Sequence, residues 1–411
     1  MTRHQLTRLP NGLAIVSLPM PGVETAAVSL TADTGARNEQ ADENGLAHLY
    51  EHMVFKGTMR RSARAIAEAI EDVGGSLNAW TSRDSTCFHA RTLAGDVPLA
   101  IDLLADLATA ARFDEADLAL EREVVRSEIG EALETPDDLV FDRLQQVAFP
   151  GQSLGRPVLG SFESLDSLDT DALRRWRANQ YRGSGLVLAA AGKVEHERLV
   201  EQAGQLFGGI AAGTPGPIEP ARWTGGHSHV TEAREQTHIA LGFEGFAPRD
   251  RREPAARLFA MALGGGMASR LFQDLREERG LAYSVSASHN MHADTGLLAL
   301  YIATRPKDGG EALALLQSVA RATAADLSPA ELDRARAQLK AGILMGLEGC
   351  AGQADWLGSS LITYGRVVEP AELIADLERV SVEEARAVGR EMLATPPALA
   401  VVGPRADRLS V

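Results

Sequence analysis

Cysteine is nearly missing: the chain of 411 residues holds only Cys87 and Cys350, far apart in sequence. No disulfide framework is indicated, which fits a reducing compartment. Basic residues are outnumbered, 41 Lys and Arg against 56 Asp and Glu, for a formal net charge of −15. Phosphate binding needs a basic face, so nucleic acid is not an expected partner. The acidic balance reads first as a solubilising surface. Long apolar runs are also lacking, since GLVLAAAG from Gly185 falls far short of the ~20 residues that span a bilayer. The opening MTRHQLTRLPNG is polar and has no apolar segment of the secretory kind. These absences lead us to expect a soluble, cytoplasmic protein with no membrane partner. What is present is ordinary globular material, 45% hydrophobic and 24% charged. The length suits two or three domains and buries a large core without help from a metal.

Two pairs of segments resemble each other about half a chain apart. DTDALRRWRANQY reads as a helix followed by the buried strand GSGLVLAAAGKV, and SVEEARAVGREML reads as a helix followed by the strand PPALAVVGPRA. Likewise HARTLAGDVPLAIDLLADLA and LALYIATRPKDGGEALALLQSVA each read as strand, turn and helix. A Gly- and Pro-rich stretch between them has linker composition. We therefore expect a duplicated domain: residues 1–212, a linker at 213–225, and a homologous domain over 226–411. The strands GLAIVSLP and ETAAVSLTADTG follow each other closely, which suggests a partly antiparallel sheet with helices on one face in each half. The expected class is α+β.

The segment GLAHLYEHMVFKGT contains His48, Glu51 and His52. On a helix these positions, i, i+3 and i+4, share a face, so two imidazoles converge with a carboxylate beside them. Neutral imidazole suits Zn²⁺, and the carboxylate is placed to take a proton from water attacking a carbonyl. A blander alternative is a helix whose histidines pack or face solvent. A third ligand should come from another helix, and DEADLALEREVVRSEIGEALETPDD is a strong candidate, with acidic residues at its N-terminal end. Its apolar positions Leu118, Val124, Val125 and Ile129 make no single stripe, so packing on more than one side is expected. Glu121, Glu128 and Glu131 share one face, and spacing alone does not choose among them.

Taken with FKGT at Phe55–Thr58, GGSLNAWTSRDST at Gly74–Thr86, PVLGS at Pro157–Ser161 and GGGMASRLFQDLREERGLAYSVSA in the second half, HLYEH resembles the inverted zinc motif of peptidase family M16. This is the family of pitrilysin and the mitochondrial processing peptidases, and the similarity runs along nearly the whole chain. It implies a subunit of two similar α+β domains, each a mostly antiparallel sheet with helices packed on one face. It implies that His48, His52 and Glu128 hold one Zn²⁺ per chain, with Glu51 as general base and Glu121 supporting catalysis without touching the metal. Arg270 and Tyr283 are the matching substrate-engaging residues. Asn78 and Ala79 match an edge strand to which a peptide adds by β-augmentation.

The implied activity is zinc-dependent endopeptidase cleavage of peptides or unfolded segments. Short relatives dimerise, so a homodimer completed in trans by Arg270 and Tyr283 is expected. Two departures stand out: Ser127 precedes Glu128 where many relatives have two acidic residues, and the glycine-rich loop of non-catalytic processing subunits is reduced to Gly264–Gly266. The competing reading is a non-catalytic assembly or scaffold subunit, although such subunits generally lack an intact metal motif. His227 and His229 alternate on an expected strand with no third donor near them in the sequence, and His89 reads as a strand residue beside the core. The two cysteines read as packed residues.

Overall fold

In the computed structural model, which describes residues 4–410, the chain forms two compact units. The first takes the chain up to Ile129 together with Pro157–Glu219 and Met345–Val368. The second takes Gly130–Arg156, Pro220–Leu344 and the chain from Glu369 onward. These units differ from the contiguous halves expected on either side of residues 213–225, because each draws in one segment from the other half of the sequence.

The first sheet contains β1 (Gln5–Arg8), β2 (Ala14–Pro19), β3 (Thr25–Ala32), β4 (Ser76–Thr81), β5 (Thr86–Leu93) and β6 (Leu186–Gly192) in the order β1-β2-β6-β3-β5-β4. The second contains β7 (Gly226–Val230), β8 (Thr237–Gly245), β9 (Ala282–His292), β10 (Thr295–Thr304) and β11 (Ala398–Val402) in the order β7-β11-β8-β10-β9. Without β1 the two orders are the same topology, each with a single parallel pair, β2 with β6 and β7 with β11. The strands that the repeat equates, β6 with β11 and β5 with β10, hold equivalent places. β2 and β3 follow each other in sequence but are not neighbours, since β6 lies between them.

Fourteen α-helices accompany the sheets among the described residues. In the first half they are α1 (Leu46–Val54), α2 (Ala63–Glu71), α3 (Val97–Ala110), α4 (Glu115–Glu134), α5 (Pro136–Ala148), α6 (Phe162–Ser167), α7 (Thr170–Gln180) and α8 (His196–Phe207). The second half adds α9 (Glu253–Gly264), α10 (Gly309–Asp326), α11 (Pro329–Gly346), α12 (Cys350–Tyr364), α13 (Pro370–Arg379) and α14 (Val382–Leu393).

Strand alternation explains the exchange of segments. In β2, Ile15 faces the core built with α1, α3, α7 and α8, while Ala14, Val16 and Leu18 face the opposite way. That opposite face is also apolar and needs cover. α12 supplies it through Ala354, Leu357 and Leu361. In the second unit α5 plays the same part, with Leu139, Val140 and Leu144 against Ala240, Ala299 and Ala400. Each sheet thus carries its main helical layer on one face and a single exchanged helix on the other. No helix among the described residues is long and apolar enough to cross a membrane.

Candidate metal centre

α1 begins where the chain turns through Gly45, at φ +94°, a left-handed conformation that favours glycine. A Cβ there would also lie 2.8 Å from the Leu159 carbonyl oxygen. The carboxylate of buried Glu39 satisfies this helix start, accepting from the backbone N–H of Gly45 at 3.0 Å and of Ala47 at 2.8 Å. Leu46, Leu49, Tyr50 and Met53 then bury one side of α1 in the core. His48, Glu51 and His52 are left together on the other.

α4 meets this side of α1 and has a buried stripe of Leu118, Glu121, Val125 and Ile129. The expected packing on more than one side is not found: Val124 is 44% exposed, and the position that completes the stripe is the carboxylate of Glu121. A heptad after Glu121, about two helical turns, Glu128 comes to the same side, and ligand atoms of His48, His52 and Glu128 all lie within 4.8 Å of one another. The Nε2 atoms of the two histidines are 3.2 Å apart, and Glu128 Oε2 is 3.7 Å from one and 3.6 Å from the other. Burial and the neighbouring His52 push the His48 imidazole down to about 3, so it is neutral at ordinary pH, as a metal ligand must be.

The surroundings orient these groups. Glu121 Oε1 accepts from His52 Nδ1 at 2.8 Å, which leaves His52 Nε2 facing the cluster. The other oxygen of Glu121 meets the ammonium of Lys56. Two imidazoles and one carboxylate converging in this way match the donor set of a hydrolytic zinc site with a coordination position left open. Glu51 is held separately, its Oε2 accepting from the Thr81 hydroxyl at 2.5 Å. Burial raises its proton affinity above the ordinary carboxylate range, an effect the Thr81 hydrogen bond opposes.

Thr81 ends β4, which among the described residues pairs with β5 alone and is therefore an edge strand. Leu77 and Ala79 pack toward the core on the α1 side, in phase with Thr81. Asn78 lies opposite His89 on the other face, so its side chain points away from the metal ligands. The two positions expected to meet substrate thus face opposite sides of one strand.

In the second unit Arg270 and Tyr283 have different partners. The Arg270 guanidinium is occupied by Glu331, with Nε to Oε1 at 2.6 Å and Nη2 to Oε2 at 2.8 Å, and by Asp326 Oδ1 at 2.5 Å. Each of its three nitrogens therefore has an acidic partner. Tyr283, the second residue of β9, is 78% exposed and has Arg276 as its cationic neighbour instead. The Arg276 guanidinium stacks 4.9 Å from the Tyr283 ring and 4.6 Å from the Phe272 ring, and donates to the Tyr283 carbonyl at 2.7 Å. A π-helical turn over Phe272–Glu278 gives Arg276 this aim.

Comparison with known proteins identifies the family. The model of the family described as Insulinase (Peptidase family M16) matches residues 14–161, and that of the Peptidase M16 inactive domain matches residues 167–339. A protein of Streptomyces coelicolor described as an uncharacterized zinc protease is 37% identical, covering 98% of this chain and 90% of its own. The chain belongs to peptidase family M16. Another relative of this M16 chain, an uncharacterized zinc protease of Bacillus subtilis, is 34% identical over 96% of the chain and 97% of its own. The crystal structure of a protease from Helicobacter pylori superposes with a TM-score of 0.90 at 20% identity, covering 98% of the chain and 100% of that structure, which speaks for the fold. An M16 inactive-domain structure from Pseudomonas fluorescens gives the same TM-score and identity, at 98% coverage of each.

Sequence reasoning missed Lys56, Thr81 and Arg276 in this M16 chain. Lys56 had a readable signal, four positions after His52 and so one helical turn on. Arg276 had a weaker one, seven positions before Tyr283 and nearer to it than Arg270. Thr81 carried none beyond its place in a strand.

Proposed function

We propose that the chain is a zinc-dependent endopeptidase acting on peptides or unfolded segments in a reducing compartment. The observation that carries this reading is the meeting of His48, His52 and Glu128 within 4.8 Å, beside a second carboxylate, Glu51, that is free of ligand duty. Zinc held by those three residues, one ion per chain, supplies Lewis acidity to activate water and polarise a peptide carbonyl. Glu51 accepts the proton of the attacking water and passes it to the leaving amine. Thr81 fixes the carboxylate that does this. Glu121 orients His52. An extended substrate adds to the free edge of β4 by backbone hydrogen bonds, with the strand at Asn78 and Ala79 setting its register and Ala79 on the metal side.

Arg276 with Tyr283, in place of the Arg270 pairing, is the substrate-engaging pair of this reading. Both offer donors to a backbone carbonyl or to the oxyanion formed in the reaction. A homodimer in which each copy presents this pair to the other's zinc site accounts for one chain carrying both sets. Complementation tests it. Glu51→Gln and Tyr283→Phe subunits, each inactive alone, should regain up to about a quarter of parental activity when mixed, since about half the dimers are mixed and each then has one intact site. No recovery in verified mixed dimers contradicts action in trans.

The reading as a whole is tested by zinc content and hydrolysis of a quenched peptide, before and after chelation. Expected are about one zinc per chain and activity that is lost with chelator and restored by zinc. Stoichiometric zinc without hydrolysis of any peptide in a broad library favours a non-catalytic assembly subunit.

A further inference from the structure

Lys56 lies one turn beyond His52, just past the end of α1, and its ammonium meets Glu121 Oε2 while His52 Nδ1 bonds Oε1 at 2.8 Å. The Glu121 side chain is 6% exposed and Lys56 35%. Each carboxylate oxygen therefore has one charged or hydrogen-bonding partner, and the carboxylate cannot turn without breaking one of them. Were Lys56 absent, Oε2 would be a buried acceptor with its ion-pair partner gone, a costly arrangement relieved by rotating the carboxylate. Rotation would take Oε1 away from His52, whose ring would then be free to turn Nε2 away from His48 and Glu128.

We propose that Lys56 is a positioning residue of the metal centre, which through Glu121 holds the His52 ring with Nε2 directed at the cation site. This rests on the zinc reading above. A simple field effect makes the opposite prediction. A cation next to a cation site repels the metal, so its removal alone should tighten zinc binding. The sign of the change thus separates positioning from plain electrostatics.

The experiment measures the zinc dissociation constant by chelator competition for the parent, Lys56→Met, Lys56→Gln and Lys56→Arg, with the melting temperature of each metal-free protein. Groups that orient metal ligands contribute about 10- to 100-fold to affinity, and the lower end is expected for one acting at one remove. Lys56→Met and Lys56→Gln should bind zinc about tenfold more weakly at a metal-free melting temperature near the parent's. Lys56→Arg, which retains the cation, should recover to within about threefold. Binding by the neutral variants as tight as the parent's, or tighter, overturns the proposal, as does equal loss in all three variants. A parent that binds no zinc overturns the zinc reading itself.

Discussion

Glu121 occupies a position in α4 that its neighbours Leu118, Val125 and Ile129 would fill with an apolar side chain. A buried carboxylate there is tolerated because His52 and Lys56 both partner it. At this scale a residue's worth depends on what meets it, and the two arginines of the second unit show the same thing. Arg270 is matched on every side, and its partner Glu331 is driven down to about 2 by that guanidinium and by Ser328. Arg270→Ala should cost about 1 kcal/mol after solvent screening, read as a lower urea midpoint, with little change in turnover. Arg276→Ala should do the reverse, lowering kcat/KM by about 10²-fold while the urea midpoint holds. A stable and fully active Arg276→Ala enzyme would remove Arg276 from the proposed site.

At the scale of the element, α1 is positioned by its start as much as by its motif. Glu39 accepts from Asn44, Gly45 and Ala47, three donors at the end of the helix that bears both histidines. Glu39→Ala should therefore cost about 1–3 kcal/mol in chemical denaturation. An unchanged midpoint would mean that this end is satisfied otherwise. Similarly, Gly358 brings α12 close to β3, where a Cβ would lie 2.8 Å from Thr31 Oγ1. Gly358→Val should lift that helix from the sheet and lower stability by about 1–3 kcal/mol.

The elements themselves were legible because periodicity records which face is buried. The paired helix-strand segments are readable in this way, whereas the helix of Glu121 and Glu128 is marked by the acidic residues at its N-terminal end and the edge place of SLNAWT comes only from the family resemblance. Less legible was anything decided by partners distant in sequence. β6 inserting between β2 and β3, α5 and α12 covering sheets of the other half, and Arg276 rather than Arg270 meeting Tyr283 all depend on long-range packing. Local pattern carries no record of it. Glu128 too was one of three carboxylates on a face until family resemblance separated it from Glu121 and Glu131.

For the molecule as a whole, buried histidines set a limit on the acid side. His289 is pushed down to about 4, mainly by burial, while its Nε2 accepts from the Phe246 N–H at 3.0 Å. An unfolded chain protonates this group near its ordinary value of about 6.5. Between those values the unfolded state binds more protons, so stability rises with pH there and is lost as pH falls from about 6.5 towards 4. Glu331 adds a second loss lower down, from its ordinary range towards about 2. Urea midpoints of the metal-free protein should accordingly decline in two stages on acidification. Replacing His289 by Gln should make the first stage shallower, the rest of it belonging to His48 and the other buried histidines, and leave the second unchanged; an unaltered slope would remove His289 from that stage.

The central claim is that His48, His52 and Glu128 hold zinc while Glu51 performs the proton transfer. Its most direct test is mass-spectrometric mapping of cuts in a peptide library by zinc-loaded parent and zinc-loaded Glu51→Gln. The parent should cut internal peptide bonds, and the variant should keep its zinc while cutting about 10²- to 10⁴-fold more slowly. Cleavage by the variant at the parent's rate would contradict the role given to Glu51. Absence of cuts by the zinc-loaded parent would contradict the peptidase itself.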